Sequence, residues 1–339
     1  MIMSLSQPTK YNKTDNDDDD MSTMIYCVET PFLTLRILED LSSDDHDDDD
    51  DNDNDNDNDN EDGQLEKSIG RFVWPTALPL LRYLLTETTS TTSTTTTASS
   101  SNDNDNNNNS GSGNINFQSS SSFLIIELGA GCGVLGMGLA AAAIHHSHNN
   151  NNNNNTIHRH RHHHVLLTDH AEDWLERNVA FNHEDLMMMI DTNHSRTTVA
   201  SMISVARLDW KNQKDIETVQ NRIRDHLSRH DDRMIDVVLV GSDILYNHSS
   251  HGDLANTLYR LSQEVVIGTK RKSTCRILLG FPDRNDDETH FMPIAREFFG
   301  DMVSPSRPLA VCSKRSNNSN RNGRKCSSME LRVLDFYVR

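Results

Sequence analysis

Cysteine is scarce in this chain, with five in 339 residues, and no two form a C-x-x-C pair. An odd, dispersed set of thiols suits a reducing compartment better than a disulfide framework. Long apolar runs are also missing. None approaches the roughly 20 residues needed to span a bilayer, and the amino terminus lacks the apolar core of a signal peptide. Basic residues are absent where acids are densest. Residues 15–20 hold five Asp, and residues 44–62 hold twelve Asp and one Glu, with no Lys or Arg in either stretch. Without those 18 acids the net charge of −19 falls to −1. The acidity therefore belongs to the tracts, and the rest is near neutral, which gives no basic footprint for nucleic acid. A cytoplasmic protein, with the nucleus as a second location, is the expectation.

The polar excess is as localised as the charge. Residues 1–23 read as a disordered tail. Inserts unable to bury enough apolar area to offset chain entropy are expected at about 43–64, 87–121, 145–163 and 313–327. The third insert is rich in Asn and His. Its histidines have no Cys or carboxylate neighbours at ligand spacing, so no metal site is expected there.

Between the inserts the chain alternates strand and helix. Met24–Glu39 reads as a β-hairpin. Arg71–Leu85 reads as a helix with Pro75 in its first turn and Trp74, Leu78, Leu81 and Leu85 along one face. Phe123–Ile126 is an apolar run of the kind buried on both faces of a parallel sheet. It leads through Glu127 and the glycines 129, 131 and 133 into an alanine-rich helix, Val134–Ala143. Further strands are expected at 165–168, 198–206, 235–240, 276–279, 302–312 and 331–338. Helices fall between them, with Trp174, Leu175, Val179 and Phe181 facing inward on one and Ile216, Val219, Ile223 and Leu227 on another. This pattern predicts one α/β domain over residues 24–339: a Rossmann-like, seven-stranded, mostly parallel sheet with helices on both faces, preceded by the hairpin.

In an open sheet of this kind, ligands bind outside the carboxyl ends of the strands. Four strands end in chemistry there: Glu127 with its glycine turn, Asp169, Asp209 with Trp210, and Ser242 with Asp243. An acid ending the second strand suits two ribose hydroxyls, and Trp210 offers a face to a purine. Each acid alone is more often a turn residue; four together point to a nucleoside site. Two ligands fit. Gly131, Gly133 and Gly136 spell the dinucleotide G-x-G-x-x-G, but that reading leaves Gly129, Glu127, Trp210 and Asp243 without roles, and it sets a pyrophosphate beside an acid that is anionic at its ordinary pKa.

E-L-G-A-G-C-G at 127–133 and L-L-T-D at 166–169 resemble motif I and its successor in class I, seven-β-strand, S-adenosylmethionine methyltransferases. With V-W-P at 73–75, L-D-W at 208–210 and S-D-I-L-Y-N at 242–247, the chain resembles the protein-lysine methyltransferases called methyltransferase family 16. The resemblance implies S-adenosyl-L-methionine as cofactor. Gly129, Gly131 and Gly133 would line its methionyl part and Glu127 would sit near its amino group. Asp169 would hold the ribose, Asp209 and Trp210 would border the adenine with Ser242 close by, and Trp74 would cover the cofactor. Asp243 and Tyr246 would form the catalytic D-x-x-Y pair, with Phe281–Arg284 flanking the acceptor cleft. Known members modify elongation factors, chaperones and other proteins, so a protein substrate, a translation factor or chaperone among the candidates, is expected, with no nucleic-acid or membrane partner and a monomeric state. Methylation of a small molecule or a histidine, or nucleotide binding without catalysis, stays open at this level.

Overall fold

The computed structural model describes residues 4–5, 9–10, 23–30, 32–40, 73–86, 115, 122–149, 163–189, 202–230, 234–268, 274–284, 286–309 and 330–338. The expected inserts fall outside these residues, apart from 115, 145–149 and 163.

Two antiparallel strands open the folded part, β3 (Thr23–Glu29) and β4 (Thr34–Asp40), as the alternating pattern predicts. Within the stretch read as a tail, the two-residue strands β1 (Ser4–Leu5) and β2 (Thr9–Lys10) add to β3. The main sheet contains β5 (Ser122–Leu128), β6 (His164–Asp169), β7 (Ile203–Arg207), β8 (Ile235–Ser242), β9 (Cys275–Pro282), β10 (Arg307–Pro308) and β11 (Leu331–Val338). Their spatial order is β10-β11-β9-β8-β5-β6-β7, with β5 to β9 parallel and β11 antiparallel to β9. The strand read over 302–312 contracts to β10 and a 3₁₀ turn, Gly300–Met302.

Strand alternation divides the interior into two cores. Phe123 and Ile125 of β5 face helices α1 (Ala77–Thr86), α2 (Val134–Asn149) and α3 (Glu172–Met188), together with the hairpin. Leu124, Ile126 and Leu128 face α4 (Gln213–Arg229), α5 (His251–Gly268) and α6 (Asp287–Phe299). The predicted inward face of α4 is the observed one.

Three helices differ from the sequence reading. α1 begins at Ala77, so Trp74 and Pro75 lie in the turn before it. Trp74 O accepts from Ala77 N at 3.2 Å and Thr76 O from Leu80 N at 3.0 Å, and the fully buried residues are Leu80, Leu81 and Leu84, not Leu78. α2 continues past Ala143, and His145 packs on Phe32 of the hairpin with ring centres 4.6 Å apart. Ile115 and His163, at positions read as insert, are buried.

On α3 the buried face includes Asn178 and Asn182 in place of Val179 and Phe181. Asn178 Oδ1 accepts from Leu38 N at 2.7 Å and its Nδ2 donates to Leu38 O at 3.2 Å. Asn182 does the same with Arg36 N and O, at 2.8 and 2.7 Å. Four residues of helix rise about 6 Å and two residues of strand about 6.6 Å. The two amides therefore match alternate peptides of β4 and act as an additional strand along its edge. This fixes the hairpin beside the glycine turn, where Cys132 Sγ lies 3.6 Å from Leu38 O.

Candidate active site

Strand order reverses between β5 and β8, and the loops leaving these two strands enclose a cleft. It is lined by Val73, Trp74, Ala77, Glu127, Gly129, Ala130, Cys132, Val134 and Ser242. Of the predicted site residues, Trp74, Glu127, Gly129 and Ser242 form its wall. Gly131, Gly133, Asp169, Asp209, Trp210, Asp243 and Tyr246 are not among its lining residues.

Glu127 points toward α2 because it shares the parity of Phe123 and Ile125 along β5. Its Oε2 accepts from Gly136 N at 2.8 Å, an approach that only glycine allows: a Cβ at 136 would lie 2.5 Å from that oxygen and collide with Leu167 Cδ2. Glu127 is 2% exposed. Burial pushes its carboxyl up to about 8, the Gly136 N–H opposing and the Asp169 charge adding. At pH 7 the group is thus largely a neutral acid, not the anion its ordinary pKa implies, and a cation placed beside it would draw the proton off.

Gly129, Gly131 and Gly133 all hold positive φ, at 58°, 53° and 76°, a region costly for residues with a Cβ. Asp169 lies under this turn. One oxygen accepts from Gly131 N at 2.8 Å, the other from Ala171 N at 2.9 Å, with His170 Nδ1 at 3.1 Å. A carboxylate oxygen has two acceptor sites, so Oδ2, which meets only Gly131 N here, retains one for another donor. Asp209 Oδ1 accepts from Lys211 N at 2.9 Å, and the half-buried Trp210 ring lies 3.5 Å from where a Cβ on Gly129 would stand.

Across the cleft, Ser242 Oγ donates to Thr76 Oγ1 at 3.0 Å, joining the end of β8 to the start of α1. Asp243 follows with φ of 58°, a strained conformation held by its own N–H, which donates to Gly280 O at 2.7 Å. Its side chain is 2% exposed and accepts from Arg284 Nη2 at 2.5 Å. Burial raises the Asp243 carboxyl while the Arg284 guanidinium works against that rise. Tyr246 is partly exposed and stacks on Trp74, with ring centres 5.7 Å apart at 14°, so the aromatics from either side of the cleft meet at its mouth.

Sequence reasoning missed Thr76, Ala130 and Cys132 as site residues, and it placed Arg284 on the acceptor flank without its partner. The position of Cys132 within the glycine turn was the available signal. Ala130 shares that signal, and for Thr76 there was none, since its contact depends on which elements are neighbours.

These residues suit a cationic nucleoside. The wall is small or apolar, its one acid is a buried carboxyl that a positive charge would ionise, and indole rings stand on both sides. Among curated proteins none matches this chain by sequence. Two solved structures resemble it: TrmN from Thermus thermophilus, at 11% identity over 63% of this chain and 43% of that one with a TM-score of 0.29, and a geranyl diphosphate methyltransferase in complex with SAM, at 8% identity over 64% and 78% with a TM-score of 0.29. The chain spans less than half the length of the first. A family model described as lysine methyltransferase matches residues 54–298, the greater part of the chain and all the strands that build the cleft. The chain belongs to this lysine methyltransferase family, and S-adenosyl-L-methionine is its methyl donor.

Proposed function

We propose that this enzyme methylates the side-chain amine of lysine on a protein in the cytoplasm. The observation that supports this reading is Asp243, a buried carboxylate at the end of β8, adjacent in the chain to Ser242 on the cleft wall. The cofactor supplies an electrophilic methyl group. The chain's own task is to align an amine with it and to leave that amine neutral, because an ammonium has no free electron pair. As the new N–C bond forms, the C–S bond breaks and its electrons stay on sulfur, and the proton must leave the nitrogen before attack. Asp243 captures the incoming ammonium and, with its carboxyl raised by burial, accepts that proton. Glu127 would hold the amino group of the methionyl part, Asp169 the ribose, and Asp209 and Trp210 the adenine side, with Trp74, stacked on Tyr246, covering the cofactor.

Tritiated S-adenosylmethionine incubated with a protein extract tests this reading. Label in a discrete protein band, recovered as methyl-lysine on hydrolysis, is expected from the wild type. Asp243→Asn should lose transfer by at least a hundredfold while still binding cofactor. Label confined to small molecules or to methyl-histidine would overturn the acceptor assignment.

A further inference from the structure

A buried carboxylate needs a partner to stay charged, and the partner of Asp243 comes from a different crossover. We infer that Arg284 is the positioning residue of the active site, holding Asp243 in place and setting the pH range over which it works. This inference rests on the role proposed above for Asp243.

Arg284 stands between two buried acids. Its Nη2 lies 2.5 Å from Asp243 Oδ1, and its Nε lies 3.5 Å from Oδ2 of Asp287, in the first turn of α6. Both acids are 2% exposed. Asp287 Oδ1 in turn faces Nε2 of His248 at 2.9 Å, on the 3₁₀ turn immediately after the D-x-x-Y segment. The loop leaving β8 and the loop leaving β9 are thus tied twice, through Asp243 with Arg284 and through His248 with Asp287. His248 also stacks on His290 of α6, with ring centres 4.2 Å apart, and lies 5.1 Å from His251, whose Nε2 meets Leu245 O at 2.9 Å. The groups around Asp243 are therefore Arg284 from the β9–α6 turn, Asp287 from the first turn of α6, the hydroxyl of Thr76 just before α1, and beyond Asp287 the three imidazoles.

Two acids share one fixed cation, so the charge is unbalanced, and each neighbour affects Asp243 in a definite direction. Arg284 favours the anion and Asp287 disfavours it. Removing Arg284 leaves Asp243 buried beside a like charge, and it will hold its proton to higher pH. Removing the Asp287 charge has the opposite effect. The guanidinium donates to Asp243 from Nη2 while its Nε lies in ion-pair range of Asp287, a planar, directional placement that a lysine can match only as a point charge.

The test is the pH dependence of tritium transfer from S-adenosylmethionine to extract protein between pH 6 and 9.5, with cofactor affinity measured calorimetrically on the same variants. Arg284→Met is expected to move the acidic limb up by at least one pH unit, with at least a tenfold loss of rate at pH 7, recovery toward pH 9 and an unchanged cofactor Kd. Arg284→Lys returns the limb most of the way. Asp287→Asn moves it to lower pH. A uniform loss at every pH, or limbs moving the same way in Arg284→Met and Asp287→Asn, overturns the inference, because a purely structural role has no sign. If Arg284→Met does not fold, the opposed directions of Arg284→Lys, slightly up, and Asp287→Asn, down, decide it. Wild-type transfer by Asp243→Asn would instead overturn the role of Asp243 itself.

Discussion

Cofactor affinity should depend on the proton carried by Glu127. That acid is held near 8 by burial, and it faces the cleft from the end of β5. If the cofactor's ammonium pairs with the anion, binding must expel the proton. At pH 7 about one-tenth of the protein is ionised, so affinity falls about tenfold below its limit, and at pH 6 about a hundredfold, or about 1.4 kcal/mol for each pH unit. Above pH 8 the amino group of the ligand loses its own charge, so affinity peaks near pH 8. Calorimetry in two buffers of different ionisation enthalpy should show close to one proton released per cofactor bound at pH 7. Glu127→Gln keeps an acceptor for Gly136 N–H but has no charge to offer. It should lose about 2 kcal/mol, roughly thirtyfold, at pH 8 and converge with wild type near pH 6. Stability gives an independent check. Between pH 4.5 and 8 the folded chain binds a proton that the unfolded chain has released, so this group makes stability decline as pH rises through that window, and Glu127→Gln removes the decline. A Kd flat from pH 6 to 8, with no buffer-dependent heat, would refute the reasoning.

Three other perturbations test the framework around the cleft. Arg276 and Asp335 form a buried bidentate pair at 2.8 and 2.7 Å joining β9 to β11; Asp335→Ala strands the guanidinium and should cost about 3 kcal/mol in denaturant unfolding. Asn178→Leu removes both bonds to Leu38, and hydrogen exchange in β4 should accelerate, with a stability loss of about 1–3 kcal/mol. Gly136→Ala places a methyl against Leu167 and Glu127, so cofactor binding should fall at least tenfold while circular dichroism changes little.

The strands were legible in the sequence because a parallel sheet buried on both faces demands continuous apolar runs, and Phe123–Ile126, Val165–Leu167 and Ile235–Val240 supply them. α4 was legible because its partner is an apolar surface. α3 was legible as a helix with Trp174 and Leu175 inward, but Asn178 and Asn182 were not, since this face also packs on the open edge of a strand, where they do what Val or Leu cannot. Of the candidate site, Glu127, Gly129 and Ser242, which the motifs carry at strand ends, line the cleft. Arg284 escaped because the contact with Asp243 spans 41 residues and exists only because β8 and β9 are neighbours. The ionisation of Glu127 escaped for a related reason: the sequence gives its ordinary pKa, and burial changes it.

Burial of Glu127 also changes the grounds on which a sulfonium nucleoside is expected at the glycine turn in preference to a pyrophosphate. The sequence argument relied on the negative charge of Glu127, which burial largely removes at pH 7. What opposes a pyrophosphate is the use of the donors. Phosphate binding at a helix amino end needs free N–H groups, and here Gly131 N donates to Asp169, Gly136 N to Glu127, Ala130 N to Thr168 O and Gly133 N to Ala130 O. The two acids occupy the amides that a dinucleotide would require, so the turn keeps its tight glycine geometry without the phosphate chemistry that usually accompanies it. The dinucleotide NADH should therefore leave the melting temperature unchanged at concentrations where S-adenosylmethionine raises it. A comparable rise with NADH would show that these amides release their carboxylates and that the selectivity lies elsewhere.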